Sequence, residues 1–129
     1  MEKKLPFSVC IAMVNSEGKI LGVTRKHDWN DFGMPGGKIE PTDDSAESAI
    51  RREVMEETGL TIENLKFQFI KQHMHNGQLK DVAVFTGEAK GEFNYTEPHL
   101  VEWVDPTVLI LGSFGTFNRD AFTKLGILY

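Results

Sequence analysis

Three glutamates near the end of a predicted helix constrain this chain more than any other feature of its sequence. The helix is predicted over Ser45–Thr58, because cap-forming residues precede it and Gly59 follows as a stop signal. Residues three and four apart share a helix face, so Glu53, Glu56 and Glu57 point the same way. The candidate N-caps before this helix are Thr42, Asp43 and Asp44.

The acidic sector is either a solvated charged surface or a metal site, and we favour the metal site. At about 100° per residue, the first half of the same sector carries the apolar residues Ala46, Ala49 and Ile50. Glu53 and Glu57 are like charges four residues apart, a repulsion of about 0.2–0.5 kcal/mol that a bound cation would reverse. Carboxylate oxygens are hard ligands, so the sector predicts a site for Mg²⁺ or Mn²⁺.

A glycine pair upstream extends this pattern. Gly37, together with the block from Arg52 to Leu60, resembles the Nudix box, which reads Gly, five residues, Glu, seven residues, Arg-Glu-U-x-Glu-Glu-x-Gly-U, where U is a bulky aliphatic. The closing block matches completely, but the spacing from Gly37 to Arg52 is one residue too long. Asp43 stands at the right distance from Gly37, and Asp44 at the right distance from Arg52, to replace the middle glutamate. We favour Asp44, because the helical register back from Arg52 is stiff.

The resemblance covers nearly the whole chain and implies one domain over residues 1–129. The implied fold is a Nudix-type α/β/α sandwich with a central mixed sheet. The implied activity is hydrolysis, in which water attacks a phosphorus of the pyrophosphate in a nucleoside diphosphate linked to another group. Mg²⁺ or Mn²⁺ is the implied cofactor, and its implied ligands are the Gly37 carbonyl, Glu53, Glu56 and Glu57.

The catalytic residues that the resemblance implies include Arg52 and a general base. Arg52 either orients a glutamate from behind or pairs with Glu56 or Asp44 as a surface ion pair. A loop carboxylate is ordinarily plain surface, but Glu97 falls in a loop expected to overhang the site. The candidates for the base are Glu53, Glu97 and Glu102.

Substrate binding is predicted at three residues, each with a structural alternative. Arg25 and Lys38 either hold phosphate oxygens or are solvated surface charges. The run Phe114–Asn118 resembles the MutT-like branch of the family, which hydrolyses oxidised purine nucleoside triphosphates and reads the purine with an asparagine. Asn118 either binds a base in this way or caps a final helix over Asn118–Leu125, and we favour the cap.

The leading function is therefore an Mg²⁺-dependent hydrolase of a nucleoside triphosphate, with an oxidised purine deoxynucleotide as the candidate substrate. The alternatives are hydrolysis of another nucleoside diphosphate derivative, such as a nucleotide sugar or a capped RNA end, and nucleotide binding without turnover.

Composition narrows the class of partner. The chain has 129 residues and a net charge of −5, which argues against a general nucleic-acid binder. The one cysteine, Cys10, lies in an apolar run and is predicted to be a small, buried hydrophobic residue. No run reaches membrane-spanning length and no signal peptide is apparent, so we expect a cytoplasmic protein. His73 and His75 fit a sheet surface better than a metal site.

The remaining elements are predicted from apolar runs and turn signals. Two strands, Phe7–Val14 and Lys19–Arg25, suggest a hairpin, and Lys26–Met34 is predicted as a loop with an exposed Trp29. Asn76-Gly77 indicates a second hairpin. The later segments are strands over Leu65–His75, Gln78–Ala89 and Val101–Val104, and a helical turn over Thr107–Leu111.

Overall fold

The structure is a computed structural model that describes residues 5–95 and 98–128. It has a mixed α/β architecture with ten elements in chain order. The strands are β1 (Ser8–Ala12), β2 (Ile20–Arg25), β3 (Asp28–Gly33), β4 (Gly36–Lys38), β5 (Thr61–His75), β6 (Gln78–Lys90) and β7 (Val101–Val104). The helices are α1 (Ala46–Thr58), α2 (Pro106–Ile110) and α3 (Gly115–Leu125).

The strands form two sheets, ordered β4-β1-β6-β5 and β3-β2-β7. The four-stranded sheet is mixed. Strands β1 and β6 run parallel, whereas β4 pairs antiparallel with β1 and β5 pairs antiparallel with β6. Alternation along β1 sends Val9 and Ile11 into a core shared with α1, whereas Cys10 packs in a cluster with α3. Helices therefore cover both faces, and the predicted sandwich with a central mixed sheet is confirmed.

The single cysteine, Cys10, is buried in the core. Burial raises the pKa of the Cys10 thiol to about 12, so the side chain stays uncharged and packs as a small hydrophobe. Among the helices described, none is long and apolar enough to cross a membrane.

Helix α1 begins and ends at local signals in its own sequence. Its N-cap is Ser45, which exchanges hydrogen bonds with Ser48 in a capping box. The expectation that Thr42, Asp43 or Asp44 caps this helix is therefore wrong. Gly59 ends the helix as predicted, in the left-handed conformation with φ 81°.

The first predicted hairpin forms only at its turn. Asn15 donates to the Lys19 carbonyl and Val14 bridges Ile20, but beyond this point β1 and β2 diverge into different sheets. The segment predicted as a loop over Lys26–Met34 contains β3, a strand at the sheet edge. Its sequence, with mostly exposed residues, lacks the alternation of apolar and polar residues that would have predicted a strand.

The second predicted hairpin is confirmed, and the final helix begins earlier than predicted. Asn76 and Gly77 both have positive φ, 49° and 79°, as the tight turn between β5 and β6 requires. Helix α3 starts at Gly115 after Phe114, so Asn118 lies inside the helix and the prediction that it caps the helix is wrong.

Candidate functional site

Strand β4 packs directly against the acidic end of α1. The Gly36 N–H donates a 2.9 Å hydrogen bond to Glu57 Oε1. A Cβ placed on Gly37 would lie 2.5 Å from Glu53 Oε1, so any other residue here would displace this carboxylate. On the other side of the strand, a Cβ on Gly36 would collide with the Val9 carbonyl oxygen. The glycine pair thus brings bare backbone against two of the predicted metal ligands.

Arg52 links the carboxylates of this region. Its Nη1 donates to Glu53 Oε1 at 3.1 Å and to Glu56 Oε2 at 3.2 Å, and lies 3.6 Å from Glu40 Oε1. Its Nη2 also donates to the Lys38 carbonyl at 3.3 Å. Arg52 therefore holds a site glutamate and pairs with Glu56, so both predicted alternatives occur together, although Asp44 is not the partner.

The aspartate that pairs with Arg52 is Asp43. Arg52 Nε and Nη2 donate to its two carboxylate oxygens at 2.9 Å each, and the Asp43 side chain is only 5% exposed. Asp43 also accepts from the Glu40 N–H at 2.8 Å, which fixes the loop before the helix. Asp44 is exposed. Asp43, rather than the favoured Asp44, is therefore the aspartate that contacts Arg52.

Burial and the guanidinium shift the pKa values of the two acids in opposite directions. Burial raises the pKa of Glu53, which is 14% exposed, although the charge and hydrogen bond of Arg52 act against this. Hydrogen bonds from Arg52 and from the Glu40 backbone lower the pKa of Asp43 to about 2. A bound cation would favour the ionised form of Glu53, whereas Asp43 stays ionised without one.

The donor set fits Mg²⁺ or Mn²⁺ in chemistry but is not gathered into a cluster. Glu53, Glu56, Glu57 and the Gly37 carbonyl all offer hard oxygens, and the space beside Gly37 is space that a Cβ would fill. Among residues 5–95 and 98–128, no three acidic, histidine or cysteine side chains already converge on a common point. Arg52 contacts Oε1 of Glu53 and Oε2 of Glu56, so ion binding requires these side chains to turn toward a common point.

A cavity of about 190 Å³ opens on the opposite face of β4 and is lined by β1, β6 and α3. Its volume lies below the roughly 300–1,000 Å³ of whole-ligand sites, so it suits one part of a nucleotide. Gly36 and Gly37 line the cavity and also contact the acidic end of α1. The other side chains around it include Cys10, Met34, His73, Phe114, Phe117 and Asn118.

Asn118 is 2% exposed and lines this cavity. Its Nδ2 donates to the Leu109 carbonyl at 3.0 Å, and because a carbonyl only accepts, the amide orientation is fixed. The amide oxygen is then the acceptor that Asn118 can offer to a bound molecule. Phe114 and Phe117 flank the His73 ring, at centroid distances of 5.2 and 5.5 Å.

The side chains of Arg25 and Lys38 have partners outside the acidic cluster and the cavity. The Arg25 guanidinium hydrogen-bonds Ser113 Oγ at 3.2 Å and lies 3.9 Å from Asp31, although Arg25 shares a surface pocket with Glu57. Lys38 places its Nζ 5.6 Å from the centre of the Phe7 ring. Glu102 is exposed on β7. Glu97 falls outside the described residues.

Two histidines that sequence analysis left aside line these pockets. Alternation along β5 turns the His73 side chain toward the sheet face that α3 covers. The position of α3 then makes His73 part of the cavity lining. His99 is buried and its Nε2 lies 2.8 Å from the Glu57 carbonyl oxygen. The sequence around His99 contains no motif that signals this contact.

Comparison with known proteins agrees with the fold and the box. The family model of the NUDIX domain matches residues 4–125. An oxidized purine nucleoside triphosphate hydrolase from Danio rerio is 36% identical over 84 residues, 60% of this chain and 49% of that protein. A MutT-like protein from Streptomyces ambofaciens is 30% identical over 101 residues, 77% of this chain and 63% of that protein. The matched stretches thus span less than two thirds of either relative.

A solved structure shows the same likeness in three dimensions. The crystal structure of a MutT NUDIX hydrolase from Burkholderia pseudomallei superposes with a TM-score of 0.67 at 26% identity, covering 81% of this chain and 86% of that one. The range that the family model matches, residues 4–125, contains the acidic helix, the glycine pair and the sheets that hold them. The chain belongs to the Nudix family.

Proposed function

We propose that this chain is a divalent-metal-dependent hydrolase that cleaves a pyrophosphate bond of a nucleoside triphosphate, with an oxidised purine deoxynucleotide as the preferred substrate class. The observation that carries the proposal is the position of Gly36-Gly37. One side of this strand borders the cavity, and the other contacts Glu53 and Glu57. A nucleotide with its base in the cavity would pass its phosphates along bare backbone toward the acidic helix.

The cavity supports a base as the bound group. Its lining is mainly apolar, with aromatic rings from Phe114 and Phe117 and a fixed amide from Asn118. Aromatic rings stack on a base, and an amide oxygen accepts from a base N–H. The Danio rerio relative is named for oxidised purine nucleoside triphosphates, which supports this substrate class without extending the relative's activity to this chain.

The chemistry is attack of water on phosphorus, with loss of the water proton and cleavage of one P–O bond. Mg²⁺ or Mn²⁺, when bound, would neutralise phosphate charge and acidify water. Glu53, Glu56, Glu57 and the Gly37 carbonyl would hold it. Arg52 restrains Glu53, which is one candidate for the base that takes up the water proton. Glu97 and Glu102 remain candidates for the same proton transfer.

Arg25 and Lys38 would bind phosphate oxygens, but each side chain would first have to leave its present partners. Arg25 borders the same pocket as Glu57, so its guanidinium would have to leave Ser113 and Asp31 to reach a phosphate. Lys38 would have to leave the Phe7 ring.

We also propose that the protein is cytoplasmic.

A nucleotide panel tests this function. We expect pyrophosphate release from a purine triphosphate with Mg²⁺ or Mn²⁺, and none with a chelator. Glu56→Gln and Glu57→Gln should lose most turnover while staying folded, whereas Glu47→Gln, an exposed first-turn position on the same helix, should match wild type. Wild-type turnover in the first two variants would refute the assigned ligands. Release from a nucleotide sugar or capped RNA instead would replace the substrate class, and tight binding without release would indicate a binding module.

A further inference from the structure

The loop before β7 is fastened to the last turn of α1. The final carbonyls of a helix have no partner within the helix and need one from outside. Here the Asn94 N–H donates to the Thr58 carbonyl at 2.8 Å, and His99 Nε2 lies 2.8 Å from the Glu57 carbonyl oxygen. A side chain on Gly59 would collide with the Asn94 backbone, so the loop and the helix end are in close contact.

His99 is held firmly where it makes this contact. The residue is 5% exposed, and its ring stacks on Tyr95 with centroids 5.0 Å apart and planes 8° from parallel. The Tyr95 hydroxyl in turn accepts from the Val101 N–H at 3.3 Å. A carbonyl oxygen can only accept, so Nε2 carries the proton and donates to Glu57.

The loop is also fixed to the second sheet on both sides of His99. The Trp29 indole donates to the Pro98 carbonyl at 3.3 Å. Leu100 exchanges hydrogen bonds with Thr24 of β2, at 2.9 and 3.0 Å. His99 therefore joins the acidic end of α1 to a part of the fold that cannot easily move away from it.

We propose that His99 is a positioning residue, which holds the Glu57 carbonyl and thereby fixes the helix turn that carries Glu56 and Glu57. This inference rests on the proposed metal-dependent function. It assigns His99 no contact with substrate. Outer-shell hydrogen bonds of this kind hold ligands in place, and their removal typically costs about 10–100-fold in metal affinity or activity.

Three substitutions at one position separate positioning from packing. The amide nitrogen of glutamine lies as many bonds from Cβ as Nε2 does, so His99→Gln keeps a donor within reach. His99→Asn keeps a donor that is too short, and His99→Leu removes the donor. His75, which contacts Phe7 near the distant hairpin turn, provides the matched control His75→Leu.

The readouts are Mn²⁺ affinity by electron paramagnetic resonance, thermal unfolding, and kcat and KM for the best nucleotide. We expect His99→Leu and His99→Asn to bind Mn²⁺ about tenfold or more weakly and to lose about 10–100-fold in kcat, with little change in KM. His99→Gln should recover most of both quantities, and His75→Leu should match wild type.

Two results would overturn the inference. One is wild-type Mn²⁺ affinity and kcat in a folded His99→Asn or His99→Leu; the other is equal loss in the glutamine and asparagine variants, which would mean that the ring matters only for packing. If His99→Leu does not fold, the glutamine and asparagine variants still decide. Absence of nucleotide hydrolysis by the wild type would refute the proposed function, whereas the Mn²⁺ comparison would still judge His99.

Discussion

Asp43 and Arg52 are joined by two parallel hydrogen bonds of 2.9 Å, from Nε to Oδ1 and from Nη2 to Oδ2. The same guanidinium reaches Glu53 at 3.1 Å, so a loop aspartate and a partly buried helix glutamate share one cation. Two-point contact between a planar guanidinium and a carboxylate fixes orientation as well as distance. The position of Glu53 thus depends on a residue outside the helix.

Asp43→Asn should lower activity by about 10–100-fold, because the second hydrogen-bonding oxygen is lost and Arg52 no longer holds Glu53 in one orientation. Pyrophosphate release under saturating metal measures this. The adjacent Asp44→Asn is the matched control and should match wild type, since Asp44 is exposed. Equal effects of the two substitutions would show that the Asp43–Arg52 contact has no role in the site.

The Asp43 pKa also predicts how stability depends on pH. Its folded value of about 2 lies below the ordinary 3.8, so the ionised pair stabilises the fold above about pH 4. This contribution is lost as pH falls from about 4 toward 2, where the carboxylate takes up a proton. Denaturant unfolding of wild type and Asp43→Asn should differ by a constant amount from pH 7 to 5 and converge below pH 4. A difference that persists unchanged at pH 2.5 would contradict the shifted pKa.

Gly37→Ala should reduce activity strongly and leave the fold largely intact. The new methyl would lie 2.5–2.9 Å from the Glu53 carboxylate, which is the free end of a side chain and can move aside. Displacement of about 1 Å can cost about a hundredfold in rate. Gly33→Ala on β3 is the control, because its Cβ would meet Phe114 at an ordinary 3.9 Å. Activity and circular dichroism together test this; an active Gly37→Ala enzyme would show that Glu53 need not stay beside the strand.

Asn118→Ala should destabilise the protein by about 1–3 kcal/mol, because the buried Leu109 carbonyl loses the hydrogen bond that the Asn118 amide donates. Urea unfolding measures the change. The next residue, Arg119, is exposed on the same helix, and Arg119→Ala should alter stability by no more than about 0.5 kcal/mol. If Asn118→Ala raises KM for a purine triphosphate without this loss of stability, the amide would serve the ligand alone.

Local sequence determined several parts of this protein. The helix with its three glutamates follows from residue spacing and from Gly59, and the Asn76-Gly77 turn follows from the positive φ that its conformation requires. Each depends on residues a few positions apart, which the chain order specifies directly. The Nudix family and its central mixed sheet were predictable for the same reason, because the box is nearly contiguous in sequence.

Contacts between distant segments were decided only by the tertiary structure. Spacing from Arg52 favoured Asp44, whereas the contact between Asp43 and Arg52 depends on where the loop returns beside the helix. The divergence of β1 and β2 depends on which sheets their neighbours occupy. Asn118 faces a cavity because α3 starts three residues before it. His99 contacts Glu57 although the two residues are forty-two positions apart in the sequence. Such pairings depend on packing of the whole chain, since no local preference of the backbone or of a side chain specifies its distant partner.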